Sequence, residues 1–234
     1  MNDILNEQEL ADLKKWDTPS VCNALEILVP SRRMRGFTLE TLLCAHPEYP
    51  PMVGYARTAM LRAMHEPEKT EDELTEESLE YYQYVQDGPR PSVIVVQDMD
   101  PIPGYGSFWG EVNSTIHQGL GALGTITNGC VRDIPACAPG FQFISAHIRP
   151  SHSWDHVVAF GCEVTVSGME VKSGDLIHAD RHGAVVIPHA VAREVPATCE
   201  LVARKEAVII EAARRPDFSV EVLREAVRKQ THVH

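Results

Sequence analysis

The stretch Ser92-Val93-Ile94-Val95-Val96-Gln97 constrains the fold more than any other. A short, uninterrupted, β-branched run is what a strand covered on both faces requires, and such strands sit inside parallel sheets. Asp98, Asp100 and a loop with Gly104 and Gly106 follow it. Residues 110 to 121 then read as a helix, with Val112, Ile116 and Leu120 recurring at i, i+4 and i+8. Gly121 and Gly124 stop that helix, and Thr125-Ile126-Thr127 reads as a second strand. Strand, helix and strand make a βαβ unit, whose crossover is right-handed. The helix N-terminus and the end of the second strand then share the carboxyl edge of the sheet, where open α/β sheets bind ligands.

Lengths sharpen this expectation. Twelve helical residues climb about 18 Å, and five or six extended residues run back about 17 to 20 Å. Arg132 and Asp133 are therefore expected to return to the level of Glu111, from which twenty residues separate them.

Around this unit, residues 4 to 16 read as a helix, and Asp17-Thr18-Pro19-Ser20 caps another that carries Val21, Ala24 and Leu25. Val53 to Arg62 alternates and reads as a strand, as does Gln142 to His147. Eight acids fall between His65 and Glu80, which suggests a solvated loop leading into a surface helix. No Gly turn accompanies them, so a cation loop is not expected there. Residues 157 to 190 are β-rich, with strands at Cys162 to Val166, Met169 to Val171 and Ala184 to Ile187. From Ala190 onward the pattern is helical, broken at Pro216, and His232 and His234 are expected to lie in a frayed tail.

At 234 residues the chain suits one large domain with a real core, spanning residues 1–234 with helical terminal extensions. A formal charge of -12 argues against nucleic acid or an anionic membrane as partner, because basic surface grips those. It leaves room for a basic segment of another protein. The six cysteines show no C-x-x-C spacing and are read as reduced thiols. No apolar run approaches 18 residues and no signal-like start is present, so a cytoplasmic protein is expected.

The chemistry of the shared edge can be anticipated. Backbone N–H groups from Gly110 to Asn113 would form a receptor for a carboxylate or phosphate. Arg132 adds a planar guanidinium that can hold a carboxylate or an enolate oxygen. Asp133 and Glu111 supply hard oxygen ligands for a cation such as Mg2+ or Mn2+. Together these groups suit a small anionic 2-keto acid. Taken alone, adjacent Arg and Asp beside a helical acid are far more often a surface ion pair than a site. Among the histidines, His147, His152 and His156 could form a metal set but lack the flanking pattern of one. Packing roles are expected for His178, His182 and Trp109.

Gly110-Glu111 followed after twenty residues by Arg132-Asp133, the run Thr127-Asn128-Gly129-Cys130-Val131-Arg132-Asp133 and the later stretch from Ser173-Gly174-Asp175 to Pro188 resemble the RraA-like family over roughly residues 15 to 215. That family includes class II 4-hydroxy-4-methyl-2-oxoglutarate/4-carboxy-4-hydroxy-2-oxoadipate aldolases, regulators of ribonuclease E, and members carrying an old demethylmenaquinone methyltransferase label. The resemblance implies a three-layer β/β/α swivelling domain of the α/β class, assembled as a homotrimer or a pair of trimers. It implies a divalent-metal-dependent lyase that releases pyruvate by a retro-aldol reaction, with possible oxaloacetate decarboxylase activity; the alternative is a non-enzymatic regulator binding a ribonuclease. By resemblance, Asp133 ligates the metal directly and Glu111 through water, while Arg132 stabilises the enolate. Gly110, Val112 and Asn113 bind the substrate carboxylate. A neighbouring subunit contributes an acid, for which Glu206 is the first candidate and Glu211 the second. The chain departs from the family pattern at Asn128, where many members have Asp, and in the length of the acidic segment. A methyltransferase reading finds no support, because no Gly-rich strand-loop with a following ribose-binding acid is present.

Overall fold

The computed structural model describes residues 4–233. Helix α1 (Glu7–Leu13) starts at a capping box, with Asn6 and Glu9 each accepting from the other's backbone N–H at 2.9 and 2.8 Å. It is shorter than the expected 4 to 16 because Asn6 takes the cap position. Asp17 caps α2 (Thr18–Leu28) through the N–H of Ser20, with Pro19 in the first turn. A two-residue strand β1 (Leu43–Cys44) precedes the long β2 (Met52–Arg62). Helix α3 (Glu71–Gln86) contains most of the acidic segment, and Thr70 with Glu73 forms its capping box. Glu71, Asp72, Glu73 and Glu76 are exposed, as a solvated face requires.

The predicted βαβ unit is present as β3 (Ser92–Asp98), α4 (Glu111–Gly119) and β4 (Ala122–Val131). After it come β5 (Gln142–Ile148), β6 (His156–Phe160), β7 (Val164–Val166), β8 (Met169–Val171), β9 (Leu176–Asp180) and β10 (Gly183–Ile187). Helices α5 (Val195–Ala213) and α6 (Val220–Gln230) close the chain. His232 donates its backbone N–H to Lys229 at 3.0 Å, and His234 lies outside the described residues.

One sheet runs β1-β5-β4-β3-β2-β9-β10, with β6 paired to the far half of β2. Strands β2 to β5 are mutually parallel and β9 and β10 antiparallel. Alternation along β3 explains the layering. Val93 and Val95 face the β7–β8 hairpin, packing with Val164, Val166, Met169 and Val171. Ile94 and Val96 face the helical side, where Tyr81 and Val85 of α3 pack with Trp109, Phe141 and Phe143. A third cluster seats α1, α2 and α5 against β2, β9 and β10 through Leu13, Val21, Leu25, Val53, Leu176 and Cys199. All six cysteines are free.

Three expectations need correction. Strand β2 is buried on both faces from Met52 to Ala59, because Met52 and Ala56 pack with the β7–β8 hairpin while Val53 and Tyr55 pack under α1, α2 and α5. Strand β4 starts at Ala122, immediately after Gly121 at φ +93°, and Gly124 lies within it; a Cβ there would meet the Gln142 carbonyl at 2.2 Å. The longer strand carries an extra residue between Thr127 and Cys130, so helix and strand lengths do not simply cancel. Finally, α4 does not bury Val112, which is 69% exposed, and its inward positions are Ser114 and His117. Both are satisfied there. Ser114 Oγ donates to Glu111 O and accepts from Ala138 N–H, while the His117 ring bonds Asn113 O at 2.6 Å and Tyr81 Oη at 2.8 Å. Burial pushes His117 down to about 4, so it is neutral and pins α4 to α3.

Candidate active site

The two ends of the βαβ unit do meet. Trp109 forms a parallel bridge with Val131, and the Arg132 N–H donates to Trp109 O at 2.9 Å. Trp109 is 1% exposed, held edge-on by Phe108 and packed near His117 at 4.7 Å, so it fixes the loop from below. Gly110 comes next and caps α4 without a side chain. A Cβ on it would lie 2.9 Å from Asp133 Oδ2 and 3.3 Å from Arg132 Cγ. Glycine is therefore required by the closeness of those side chains and not by its backbone angles, since its φ of -164° is ordinary extended backbone.

This closeness places three kinds of group on one spot. With no side-chain cap on α4, its first-turn N–H groups stay available beside the positive end of the helix dipole. Arg132 Nε lies 3.5 Å from Asp133 Oδ2 and is shielded from solvent without a hydrogen bond of its own. Asp133 takes the left-handed conformation, φ 55° and ψ 25°, which turns the chain into a short 3-10 helix at Ile134–Ala136. Its side chain is 44% exposed. Glu111 is exposed as well, and both carboxylates raise the Cys137 thiol electrostatically, after the larger effect of its burial.

The donor set fits a hard divalent cation. Apart from its ion pair with Arg132, the Asp133 carboxylate has no hydrogen-bond partner among the described residues, and neither has Glu111. No group of three or more His, Cys, Asp or Glu able to hold a metal occurs among the described residues. One or two carboxylates with room for water and substrate oxygen match Mg2+ or Mn2+, and do not match a closed zinc site.

The remaining candidates divide clearly. Val112 and Asn113 sit in the first turn as expected, but the Asn113 side chain is fully engaged, accepting from Tyr82 Oη at 2.8 Å and donating to Phe108 O at 2.6 Å. Only its backbone is free to serve. Glu206 and Glu211 lie on α5, which packs against α1, α2 and α6, so a single chain does not bring them to Gly110. His152 and His156 each bond a backbone carbonyl through Nδ1 and form no metal cluster with His147. His178 is buried between Thr18 and Trp16 O, a packing role, whereas His182 is exposed and pairs with Asp180 at 3.0 Å. Asn128 donates to Asp98 O and accepts from Asp98 N–H, a two-way contact that an aspartate could not make.

Asp155 was not anticipated as part of the site. Its loop carries it to a place where Arg132 acts on its charge, and burial pushes it up to about 6 despite the opposing influence of His152 and Arg132. Nothing local in Ser151 to His156 announces this, because the contact is made through tertiary structure.

A family model for RraA-like proteins, described as Aldolase/RraA, matches residues 18–186. The chain belongs to the RraA-like family. Its fold agrees with that of an uncharacterized protein from Pseudomonas syringae pv. tomato, with TM-score 0.70, 24% identity and 94% of each chain covered. RraAS2 of Streptomyces coelicolor, described as an unusual member of the RNase ES inhibitor RraA family, gives TM-score 0.66 at 20% identity over 86% of this chain and 95% of that one. Among curated proteins, DlpA of Legionella pneumophila is 27% identical over 120 residues, which span 48% of this chain and 18% of DlpA. At these identities the solved structures speak for the fold. No helix among the described residues is long and apolar enough to cross a membrane.

Proposed function

We propose that this RraA-like protein is a divalent-metal-dependent lyase that cleaves a 4-hydroxy-2-keto acid to pyruvate and a carbonyl fragment, and that it also decarboxylates oxaloacetate. The supporting observation is the approach of Asp133 and Arg132 to Gly110, which sets a carboxylate, a guanidinium and free helix N–H groups around one point. The α4 amides hold the substrate carboxylate. Arg132 faces the 2-keto oxygen and stabilises negative charge as it develops there. Asp133 and, through water, Glu111 would hold the Mg2+ or Mn2+ ion, which supplies Lewis-acid polarisation of the keto group. In the reaction the C4 hydroxyl gives up its proton and C4 becomes a carbonyl as the C3–C4 bond breaks. The electron pair passes into the pyruvyl enolate, which is then protonated at C3. In this reading Glu111 orients the water that accepts the first proton, and an acid of a neighbouring copy, Glu206 before Glu211, completes the site in a homotrimer or hexamer.

A pyruvate-coupled assay with oxaloacetate and 4-hydroxy-4-methyl-2-oxoglutarate, with manganese and then with chelator, tests this reading. Arg132→Ala is expected to lower turnover at least about 100-fold, the scale of losing a transition-state donor, while manganese affinity changes little. A second reading, a regulator binding a basic ribonuclease segment, draws on the exposed acids of α3 and on structural neighbours described as a member of the RNase ES inhibitor RraA family and as an RNA-processing inhibitor. No pyruvate from any tested keto acid, together with tight binding to such a segment, would establish it and overturn the lyase.

A further inference from the structure

The inner face of α3 and the loop from His152 to Val157 flank a cavity of about 390 Å3 that Gly110, Glu111, Arg132 and Asp133 do not line. It is a place apart from the site at the foot of α4. The loop is held in shape: Ser153 Oγ and the Trp154 N–H both donate to Ala63 O, at 2.8 and 3.2 Å, and Ser107 N–H donates to Ser151 O at 2.9 Å. A wall fixed at three points is formed before any ligand arrives. We propose that this cavity is a binding site for a small organic cation, an ammonium carried on an apolar or aromatic body, with the Asp155 carboxylate as its counter-ion.

Where each polar group on the wall sends its proton decides the class of ligand. Ser78 Oγ donates to Leu74 O, Ser153 Oγ to Ala63 O and Tyr82 Oη to Asn113 Oδ1, each at 2.8 Å. His152 Nδ1 lies 2.7 Å from Ser153 O, and His156 Nδ1 lies 2.7 Å from Trp154 O. A carbonyl oxygen only accepts, so each Nδ1 carries the proton and each neutral ring is left with a lone pair on Nε2. Hydroxyls and imidazoles thus present acceptors to the cavity. Asp155 is the one Asp, Glu, Lys or Arg of the lining, and its side chain is 16% exposed. His152 Nδ1, 3.3 Å from that carboxylate, has its proton directed at Ser153 O instead. A half-buried carboxylate surrounded by acceptors lacks donors, and an ammonium brings three of them together with the compensating charge. Leu74, Phe108, Trp154 and Val157 supply apolar surface for the rest of the ligand. Helix α3, one wall of the cavity, carries six acids and no Lys or Arg, which favours the approach of cations over anions.

Three probes of similar size, 2-phenylethylamine, 2-phenylethanol and 3-phenylpropanoate, differ chiefly in charge. They are titrated calorimetrically into the full chain at about pH 7.5, above the value of about 6 to which burial raises Asp155. The amine is expected to bind at least about tenfold more tightly than the alcohol, and the carboxylate more weakly than either. Asp155→Asn, which keeps the shape of the wall, is expected to bring amine and alcohol within about threefold of each other, and Leu74→Ala to weaken both alike. An amine bound no more tightly than the alcohol, a carboxylate bound more tightly than the amine, or a preference that survives in Asp155→Asn overturns the inference. Nα-acetyl-lysine amide presents the same ammonium as a polypeptide would. If it binds at least as tightly as the amine and loses that binding in Asp155→Asn, the cation belongs to a protein side chain and the small-molecule assignment falls. None of these readouts involves turnover, so the lyase reading stands or falls separately.

Discussion

Two pairs of acids stand at the same carboxyl edge of the sheet, and they are wired in opposite ways. Asp98 and Asp100, at the end of β3, are 3% and 6% exposed and accept four backbone hydrogen bonds between them, from Asp100, Gly104, Ala63 and Met64. The carboxylates of Asp133, just past β4, and Glu111, on α4, accept none among the described residues, and the nearest cation to the Asp133 carboxylate is Arg132 at 3.5 Å. Carboxylates whose lone pairs are filled by the backbone hold a loop in shape; carboxylates with open lone pairs are available to a ligand. The contrast gives the first pair an architectural role and leaves the second pair's lone pairs open to a ligand, although both look alike in sequence.

Exchanging the consequences of mutation between the pairs is the strongest way to break this division. Asp133→Ala is expected to abolish measurable metal binding and to cut pyruvate release at least about 100-fold, with little change in melting temperature. Asp98→Ala should do the reverse, costing roughly 2–4 kcal/mol of stability by stranding buried N–H donors. Denaturant melts beside a manganese titration check both. A melting loss for Asp133→Ala, or unaltered metal affinity, would erase the distinction.

Asp155 sharpens the comparison because its side chain, 16% exposed, is half-buried between these extremes and Arg132 acts on its charge. Its carboxyl is raised from 3.8 to about 6, chiefly by burial. The folded state therefore binds a proton between these values that the unfolded chain has released, so this group's contribution is fully present below about pH 4 and lost as pH rises through about 6. Relative to Asp155→Asn, the unmodified protein should lose on the order of 2 kcal/mol between pH 4 and pH 7, read from urea melts at both pH values. A parallel pH dependence in the two proteins would place Asp155 among the solvated surface acids.

Much of this edge was legible in the sequence, for physical reasons that can be named. The β-branched run at 92 to 97, the capping residue Asp17 and the Gly-bounded helix each carry local signals, and local signals survive without tertiary knowledge. The meeting of Gly110, at the foot of α4, with Arg132 and Asp133 follows from the topology of a βαβ unit, even though β4 is longer than its β-branched centre suggests. What stayed hidden depends on partners far along the chain. Helix α4 buries a face other than its apolar stripe because Ser114 and His117 look polar until Ala138 and Tyr81 are there to satisfy them. Strands β6 and β9 are defined by pairing with β2. Asp155 joins the site through a loop anchored on Ala63. Thr70-Glu71-Asp72-Glu73, by contrast, was a readable capping box within a segment noticed only for its charge.

The smallest expected effect concerns the residue that ties the structural pair to the strand bearing the chemical one. Asn128, on β4, meets the backbone of Asp98 with both halves of its amide, accepting at 2.8 Å and donating at 3.0 Å. Asn128→Asp keeps the acceptor and removes the donor, setting a carboxylate oxygen against a carbonyl oxygen. The loss should be about 1–2 kcal/mol, the cost of one broken hydrogen bond at a half-buried position. Because Arg132 and Asp133 lie beyond the irregularity at Thr127 to Cys130, the change should leave manganese affinity within about threefold, well under one kcal/mol. If metal affinity instead falls together with stability, the edge acts as one cooperative unit, and the two acid pairs are coupled through Asn128 and not merely adjacent.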